Sequence, residues 1–309
     1  MNYYIGMDGG GTKSILTAVD ENGKEIAQLR GGPTNISAYT LDQVRSNIET
    51  IVNELLQGYN LSKEECLGFC IGSAGIDKES DKPLMHAMIK QMGLSCDIQV
   101  VNDAEIILEA EKDCEAGVAI ISGTGSIAYG TDKTGNRVKS GGWGHLLGDE
   151  GSGYWIANEA IIAAVRSADR RTEKTLLLDE IMTVLEIDDP YKIIDFVYKD
   201  CASDKGKLAS LSSAVSQAHQ AGDAEASRIL KKAGQELSLL GSTVLKQLAY
   251  EDKSIVVCSG GILQNNDFIF NNVKMSLESM FEQVQVVRLS KEPVWGAVKM
   301  AMALSKNHD

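Results

Sequence analysis

Apolar residues along the chain switch between two spacings. Tyr3–Asp8 is an apolar run rich in strand formers, Ser14–Val19 shows partial alternation, and Glu25–Leu29 follows the turn Asp20-Glu21-Asn22-Gly23. The opening stretch therefore reads as a three-stranded meander. Leu41, Val44, Ile48, Ile51, Val52 and Leu55 then recur at helical spacing and predict a helix over 41–56. Leu67–Ile71 reads as a short buried strand closed by Gly72-Ser73-Ala74-Gly75. Pro83–Met92 suits a helix, Ile98–Val101 a strand ending at Asn102-Asp103, and Ala104–Glu111 a helix.

The pattern then starts again. Gly117–Ser122 reads as a strand, Gly123-Thr124-Gly125-Ser126 as a loop, Ile127–Gly130 as a strand and Thr134-Gly135-Asn136 as a turn. Helical spacing dominates after Gly151, over 153–168, 173–185, 190–199, 207–220 and 223–249. A strand at Ser254–Cys258, a loop at Ser259-Gly260-Gly261, a helix at Asp267–Phe281, a strand at Val284–Leu289 and a helix at Val294–Leu304 complete the chain. Two related halves, each with a glycine loop of phosphate size, suggest a ligand clamped between them. The boundary falls near Cys114–Gly117.

Composition narrows the function. A length of 309 residues with 43 % hydrophobic content supports one large domain or two medium ones. The net charge of −13 argues against nucleic acid, whose phosphates demand a basic face. It leaves ATP open, because backbone N–H groups and a metal can hold phosphates. No apolar run approaches the ~20 residues of a membrane span. Met1 leads directly into the strand-like Tyr3–Met7, so no charged leader is read and a cytoplasmic protein is expected. Cys66, Cys70, Cys96, Cys114, Cys201 and Cys258 form no C-x-x-C pair and read as reduced, buried thiols.

Five segments carry candidate chemistry. Asp8-Gly9-Gly10-Gly11-Thr12-Lys13-Ser14 ends a strand with three glycines, which lets backbone approach a phosphate. It fails the P-loop pattern, because Thr12 intervenes before Lys13 and a strand follows; the alternative is a plain hairpin turn. Ile121-Ser122-Gly123-Thr124-Gly125-Ser126 fits a dinucleotide pattern formally but also precedes a strand. Cys258-Ser259-Gly260-Gly261 suits a base or ribose lying on backbone, or a simple strand-to-helix turn. Asp103 stands where a cleft opens at a strand end, either as a base for a hydroxyl or as a helix N-cap. Gly141–Gly153 sets six glycines around Trp143, His145, Asp149 and Glu150. That composition suits a polyol-binding loop, or a long turn in which Asp149 or Ser152 caps the next helix.

These motifs, in this order, closely resemble the N-acetylglucosamine kinase family of the sugar kinase–heat-shock-70–actin superfamily. The resemblance runs from Asp8-Gly9-Gly10-Gly11-Thr12 to Gly260-Gly261. It is sharpest over Ile121–Ser126, Gly141–Ser152 and Tyr154-Trp155-Ile156-Ala157, and Pro33-Thr34-Asn35 fits the family's sugar-binding Thr-Asn. It implies an α/β, two-domain actin-like (duplicated ribonuclease H-like) fold with ATP and sugar in the interdomain cleft. The domains would be 1–115 and 116–292, with a closing helix of about 293–309 able to pack back on the first. Asp103 would be the general base on the sugar 6-hydroxyl. Gly9, Gly10, Gly11, Thr12, Lys13 and Thr124 would hold phosphates, and Ala209, Gly260, Gly261 and Asn265 the adenosine. Asn35, Ser73, Asp103, Gly125, Ser126, Gly142, Trp143, Gly144 and Asp149 would contact the hexosamine. Asp8 would orient Mg²⁺ through water. N-acetylglucosamine is the first candidate substrate, with N-acetylmuramic acid and glucosamine beside it, and the family's frequent dimers leave a homodimer open.

Two rivals share the fold. ATP-driven activators of 2-hydroxyacyl-CoA dehydratases carry a bridging iron–sulfur cluster on cysteines in glycine turns. Here only Cys258 stands near such a turn, and it continues an apolar strand. A transcriptional regulator would need a helix-turn-helix and a less acidic balance.

Overall fold

The structure, a computed structural model, describes residues 1–76, 80–111, 116–202, 204–248 and 253–305. Cys114, the segment 112–115 at the expected boundary, residue 249 at the end of one expected helix, and 306–309 lie outside the described residues. The chain divides into two compact units, Met1–Asp113 with Leu289–Asp309, and Cys114–Arg288.

The first unit is built on β1 (Tyr3–Gly9), β2 (Ser14–Asp20), β3 (Glu25–Gly31), β4 (Cys66–Ser73) and β5 (Asp97–Asn102), in the order β3-β2-β1-β4-β5. β1, β2 and β3 run antiparallel as the meander, and β4 and β5 then add parallel to β1. Odd residues of β1 (Tyr3, Ile5, Met7) pack with α1 (Leu41–Gly58) and α2 (Asp81–Lys90). Tyr4 faces the opposite layer, formed by α3 (Asp103–Glu111) and the C-terminal helix. Helices on both faces explain why β1 and β4 read as continuous apolar runs. α1 starts in a capping box, Thr40 with Gln43, and buries the predicted stripe Val44, Ile48, Ile51, Val52 and Leu55.

The second unit repeats this plan with β6 (Gly117–Ser122), β7 (Ser126–Thr131), β8 (Arg137–Gly141), β9 (Ser254–Ser259) and β10 (Val284–Arg288), in the order β10-β9-β6-β7-β8. Read from its meander, it has the topology of the first sheet. Between β8 and β9 come α4 (Gly153–Ala168), α5 (Leu177–Val184), α6 (Lys192–Asp195) with a π-helical turn at Phe196–Asp200, α7 (Lys205–Ser210), α8 (Ser212–Gln220) and α9 (Ala224–Leu248). α10 (Gly261–Asn265) and α11 (Asp267–Met280) link β9 to β10, and α12 (Val294–Leu304) ends the chain in the first unit.

α12 lies almost backbone to backbone on its unit. A Cβ on Gly6 would stand 2.4 Å from Val298 N, one on Gly68 2.5 Å from Ala301 O, and one on Gly296 1.9 Å from Ile106 O. Among the described residues no helix is long and apolar enough to cross a membrane. All described cysteines are free and buried.

Candidate active site

In the first unit the candidate groups collect at the carboxyl ends of three parallel strands. Gly9 pairs with Ser73, and Ser73 with Asn102, so the ends of β1, β4 and β5 stand side by side. The β1–β2 connection is a hairpin closed by Gly10 N donating to Lys13 O at 3.0 Å, and Gly11, Thr12 and Lys13 at its tip are exposed. Asp8 and Asp103 flank this loop, each half-buried. The choice between cap and base at Asp103 has a structural answer. Asn102 does the capping: its Oδ1 accepts from Ala104 N at 2.9 Å, while Glu105 accepts from Asn102 N at 3.2 Å.

Electrostatics mark the same place. Asp8 is pushed up to about 7, by burial first and then by the Asp103 carboxylate; Glu292 adds to the rise and Lys13 opposes it. Hard carboxylate oxygens crowded beside a glycine loop suit Mg²⁺, which takes one or two carboxylates and keeps waters and phosphate oxygens. Among the described residues no group of three or more His, Cys, Asp or Glu is placed to hold a metal ion. A pH test follows. Because Asp8 is raised in the folded state, its contribution to stability is full below its ordinary value of 3.8 and is lost as pH rises through about 7. In metal-free protein, melting temperature relative to Asp8→Asn is expected to fall across that window; parallel pH profiles would discount the carboxylate pair.

In the second unit, Gly123 N donates to Gly125 O at 3.0 Å across the β6–β7 loop, and Gly153 N donates to Gly123 O at 2.8 Å. Ser126 is held on both sides: its N donates to Asp149 Oδ1 at 3.3 Å and its hydroxyl to Glu150 O at 2.8 Å. A Cβ on Gly125 would stand 2.8 Å from Asp149 Oδ2. Asp149 is 5 % exposed, and its φ of 61° lies in the left-handed region. The cap of α4 is Ser152, which accepts from Trp155 N at 3.2 Å. Trp143 is 73 % exposed within this unit, and His145 lies edge-on to Tyr154 with centroids 4.7 Å apart.

The second unit also holds a cavity of about 760 Å³. Thr124, Ala209, Gly261 and Asn265 line it, together with the α8 side chains Ser213 and Gln217. Among the described residues, none that lines it is charged. Its volume is within the range of ligand pockets, roughly 300–1,000 Å³. Gly260 is not in its wall. With φ +89°, Gly260 presses on the end of β6, where a Cβ would stand 2.3 Å from Ser122 O.

The structure thus brings Asp8, Gly9, Gly10, Gly11, Thr12, Lys13, Asn35 and Asp103 to one edge of the first unit. It gathers Gly125, Ser126, Gly142, Gly144 and Asp149 around the β7 start of the second. Ser73 needs correction as a direct sugar contact. It is 0 % exposed, and its hydroxyl donates inward to Thr34 O at 3.1 Å. Sequence reasoning missed Asn102 as the cap and the α8 wall of the cavity. Ser213, Ser216, Gln217 and Gln220 form a polar stripe opposite Ala214, Val215 and Ala218, which any surface helix would show.

The chain is similar to known proteins in sequence and in fold. The sequence profile of the BadF/BadG/BcrA/BcrD ATPase family matches residues 5–301. The chain is 37 % identical over 302 residues to the N-acetylmuramic acid/N-acetylglucosamine kinase of Clostridium acetobutylicum, covering 97 % of this chain and 98 % of that one. It is 29 % identical over 314 residues to the N-acetyl-D-glucosamine kinase of Dictyostelium discoideum, covering 98 % of each. Among solved structures, a provisionally assigned N-acetylglucosamine kinase from Chromobacterium violaceum shares the fold at TM-score 0.76 and 21 % identity, covering 97 % of this chain and 99 % of that one. A ROK family glucokinase from Streptomyces griseus shares it at TM-score 0.62 and 16 % identity, covering 99 % and 100 %.

Proposed function

The chain belongs to the BadF/BadG/BcrA/BcrD ATPase family, and from that premise we propose that it transfers the γ-phosphoryl group of ATP to the 6-hydroxyl of an N-acetylhexosamine, N-acetylglucosamine first. The relatives named above act on N-acetylated amino sugars, which supports the substrate class. The observation that carries the mechanism is the division of labour at the end of β5. Asn102 and Glu105 complete the helix start, and Asp103 stands beside Asp8 and the glycine loop.

Asp103 would accept the proton of the 6-hydroxyl as that oxygen attacks the γ-phosphorus and the bond to the ADP oxygen breaks. The backbone of Gly9–Gly11 with Thr12 and Lys13, and Thr124 in the second unit, would hold the phosphates. The cavity lined by Ala209, Gly261 and Asn265 would take the adenosine. Asn35, Ser126, the Gly142–Gly144 backbone and Asp149 would orient the sugar. Mg²⁺ bound with the nucleotide supplies the positive charge that the phosphates need, and Asp8 would hold it through water. The five buried thiols among the described residues suit a reducing, cytoplasmic setting.

The activator reading would need cysteines in glycine-rich turns, and Cys258, beside the Gly260-Gly261 turn, is fully buried as the continuation of β9.

The deciding experiment is ADP release with MgATP and, separately, N-acetylglucosamine, N-acetylmuramic acid, glucosamine and glucose. N-acetylglucosamine is expected to raise the rate well above the basal one, and the muramic acid lane reads whether the C3 side is open. If no sugar raises it, the kinase reading fails.

A further inference from the structure

Thr34 does no chemistry in the scheme above, yet its main chain and its hydroxyl tie the glycine loop of the first unit to the end of β4. It is 0 % exposed. Its N donates to Gly10 O at 3.2 Å, which ties it to the phosphate loop. Its hydroxyl lies 3.3 Å from the Ser73 hydroxyl, and Ser73 donates back to Thr34 O at 3.1 Å. Thr34 Oγ1 also occupies the space that Gly9 leaves: a Cβ there would stand 2.1 Å from it. Ala74 N closes the ring by donating to Gly9 O at 2.8 Å. Three chain segments, 9–10, 34 and 73–74, are thus tied together, two of the links by backbone hydrogen bonds and the third by the buried hydroxyl pair.

The next residue is the sugar-contact candidate Asn35. Its Oδ1 accepts from Ser37 N at 2.8 Å and lies 2.3 Å from where a Gly75 Cβ would be. Its Nδ2 is 3.9 Å from the corresponding point on Gly11, in the phosphate loop. The Asn35 amide therefore sits between the loop after β4 and the loop after β1. Both loops are referenced to the Thr34–Ser73 pair.

We infer that Thr34 is a positioning residue whose hydroxyl, paired with Ser73, couples sugar binding at Asn35 to the set of the phosphate loop Gly9–Gly11. The inference rests on the kinase reading and goes beyond it, since it assigns the communication between the two ligands to a fully buried hydroxyl pair. A buried hydroxyl pair of this kind has no solvent to replace a lost partner, so its removal leaves Ser73 under-satisfied and frees the loop. A loop displaced by an ångström is enough to lower turnover about 10- to 100-fold.

The test uses the full chain as wild type, Thr34→Val, Thr34→Ser and Ser73→Ala. Dissociation constants for N-acetylglucosamine are measured with and without the non-hydrolysable analogue AMPPNP, alongside kcat and the KM of each substrate. In the wild type, nucleotide is expected to tighten sugar binding. In Thr34→Val and Ser73→Ala that tightening is expected to vanish and kcat to fall about 10-fold or more, while sugar affinity without nucleotide stays within about 3-fold. Thr34→Ser is expected to restore both. Unchanged coupling and kcat in Thr34→Val and Ser73→Ala would overturn the inference. So would a Thr34→Ser variant as defective as Thr34→Val, because the methyl packing and not the hydroxyl would then matter. A thermal melt guards against misfolding of Thr34→Val, and Ser73→Ala, the smaller change, carries the test if that variant does not fold. A wild type that shows no sugar-dependent turnover overturns the kinase reading and the coupling with it, whereas an active wild type with an unaffected pair of variants overturns the coupling alone.

Discussion

Asp103→Asn is expected to bind N-acetylglucosamine with near wild-type affinity and to lose about 10²-fold or more in kcat, the scale of a positioned general base. The amide keeps the shape and the hydrogen-bonding reach of the carboxylate but cannot take the proton of the 6-hydroxyl. The substitution is clean because the start of α3 does not depend on it: Asn102 accepts from Ala104 N and Glu105 accepts from Asn102 N. It also removes the charge that, after burial, does most to raise Asp8, so Asp8 is expected to ionise at lower pH in the variant. Steady-state rates and sugar titrations, run together, check both parts. A kcat within a few-fold of wild type would remove Asp103 from the role of base. A large loss of sugar affinity with normal kcat at saturation would make it a binding group instead.

Gly260→Ala is the second large effect, expressed through the backbone. Gly260 has φ +89° and ψ 155°, a region that side-chain-bearing residues avoid, and a Cβ there would stand 2.3 Å from Ser122 O and 2.9 Å from Ser122 N. Both atoms are main chain at the end of β6, beside the Gly123–Gly125 loop, so neither can swing away. Strain of this kind costs about 1–3 kcal/mol. In a unit of this size it should lower the melting temperature by about 2–10 °C. The shift of β6 against β9 carries Thr124 and Gly261 with it, so the KM for ATP is expected to rise about 10-fold or more, as for a misplaced binding loop. Gly261→Ala is the control for stability, since a Cβ there meets nothing within 4 Å. Equal melting temperatures for the two variants would show that the β9–α10 turn can relax.

What could be read from the chain followed from how sharply each segment is constrained. β1 and β4 are apolar throughout because both faces of the sheet are covered, and the predicted stripe of α1 is buried as spaced. The repeat of strand, glycine loop and strand proved to be the visible part of a whole repeated sheet. Its third strand escaped notice, since Arg137–Gly141 sits at an edge and offers only Val138 as an apolar residue. The expected helix over 207–220 is two helices that meet at Leu211, and the bend has neither glycine nor proline to announce it. The helix expected from 173 begins at Leu177, because Asp223, distant in sequence, draws the Thr175 hydroxyl and Leu176 N to itself. Glycine loops were legible as sites because their composition is costly for a core. The side-chain duties within them were less so. Ser73 carries no sign in the sequence that its hydroxyl turns inward, and Asn102 outcompetes Asp103 for the cap only because Glu105 reciprocates.

The close seating of α12 has a consequence for how the chain is made. Residues 1–113 contain all five strands of the first sheet and every candidate group of the first unit, yet the strip of surface over Gly6, Gly68 and Ile106 is covered by the last helix. During synthesis that helix emerges after the whole second unit. The second unit is continuous in sequence, whereas the first cannot complete its core until the segment that follows the second has been made. A released chain that stops before Val294 should leave the apolar strip of the first unit open while the second unit keeps its strands.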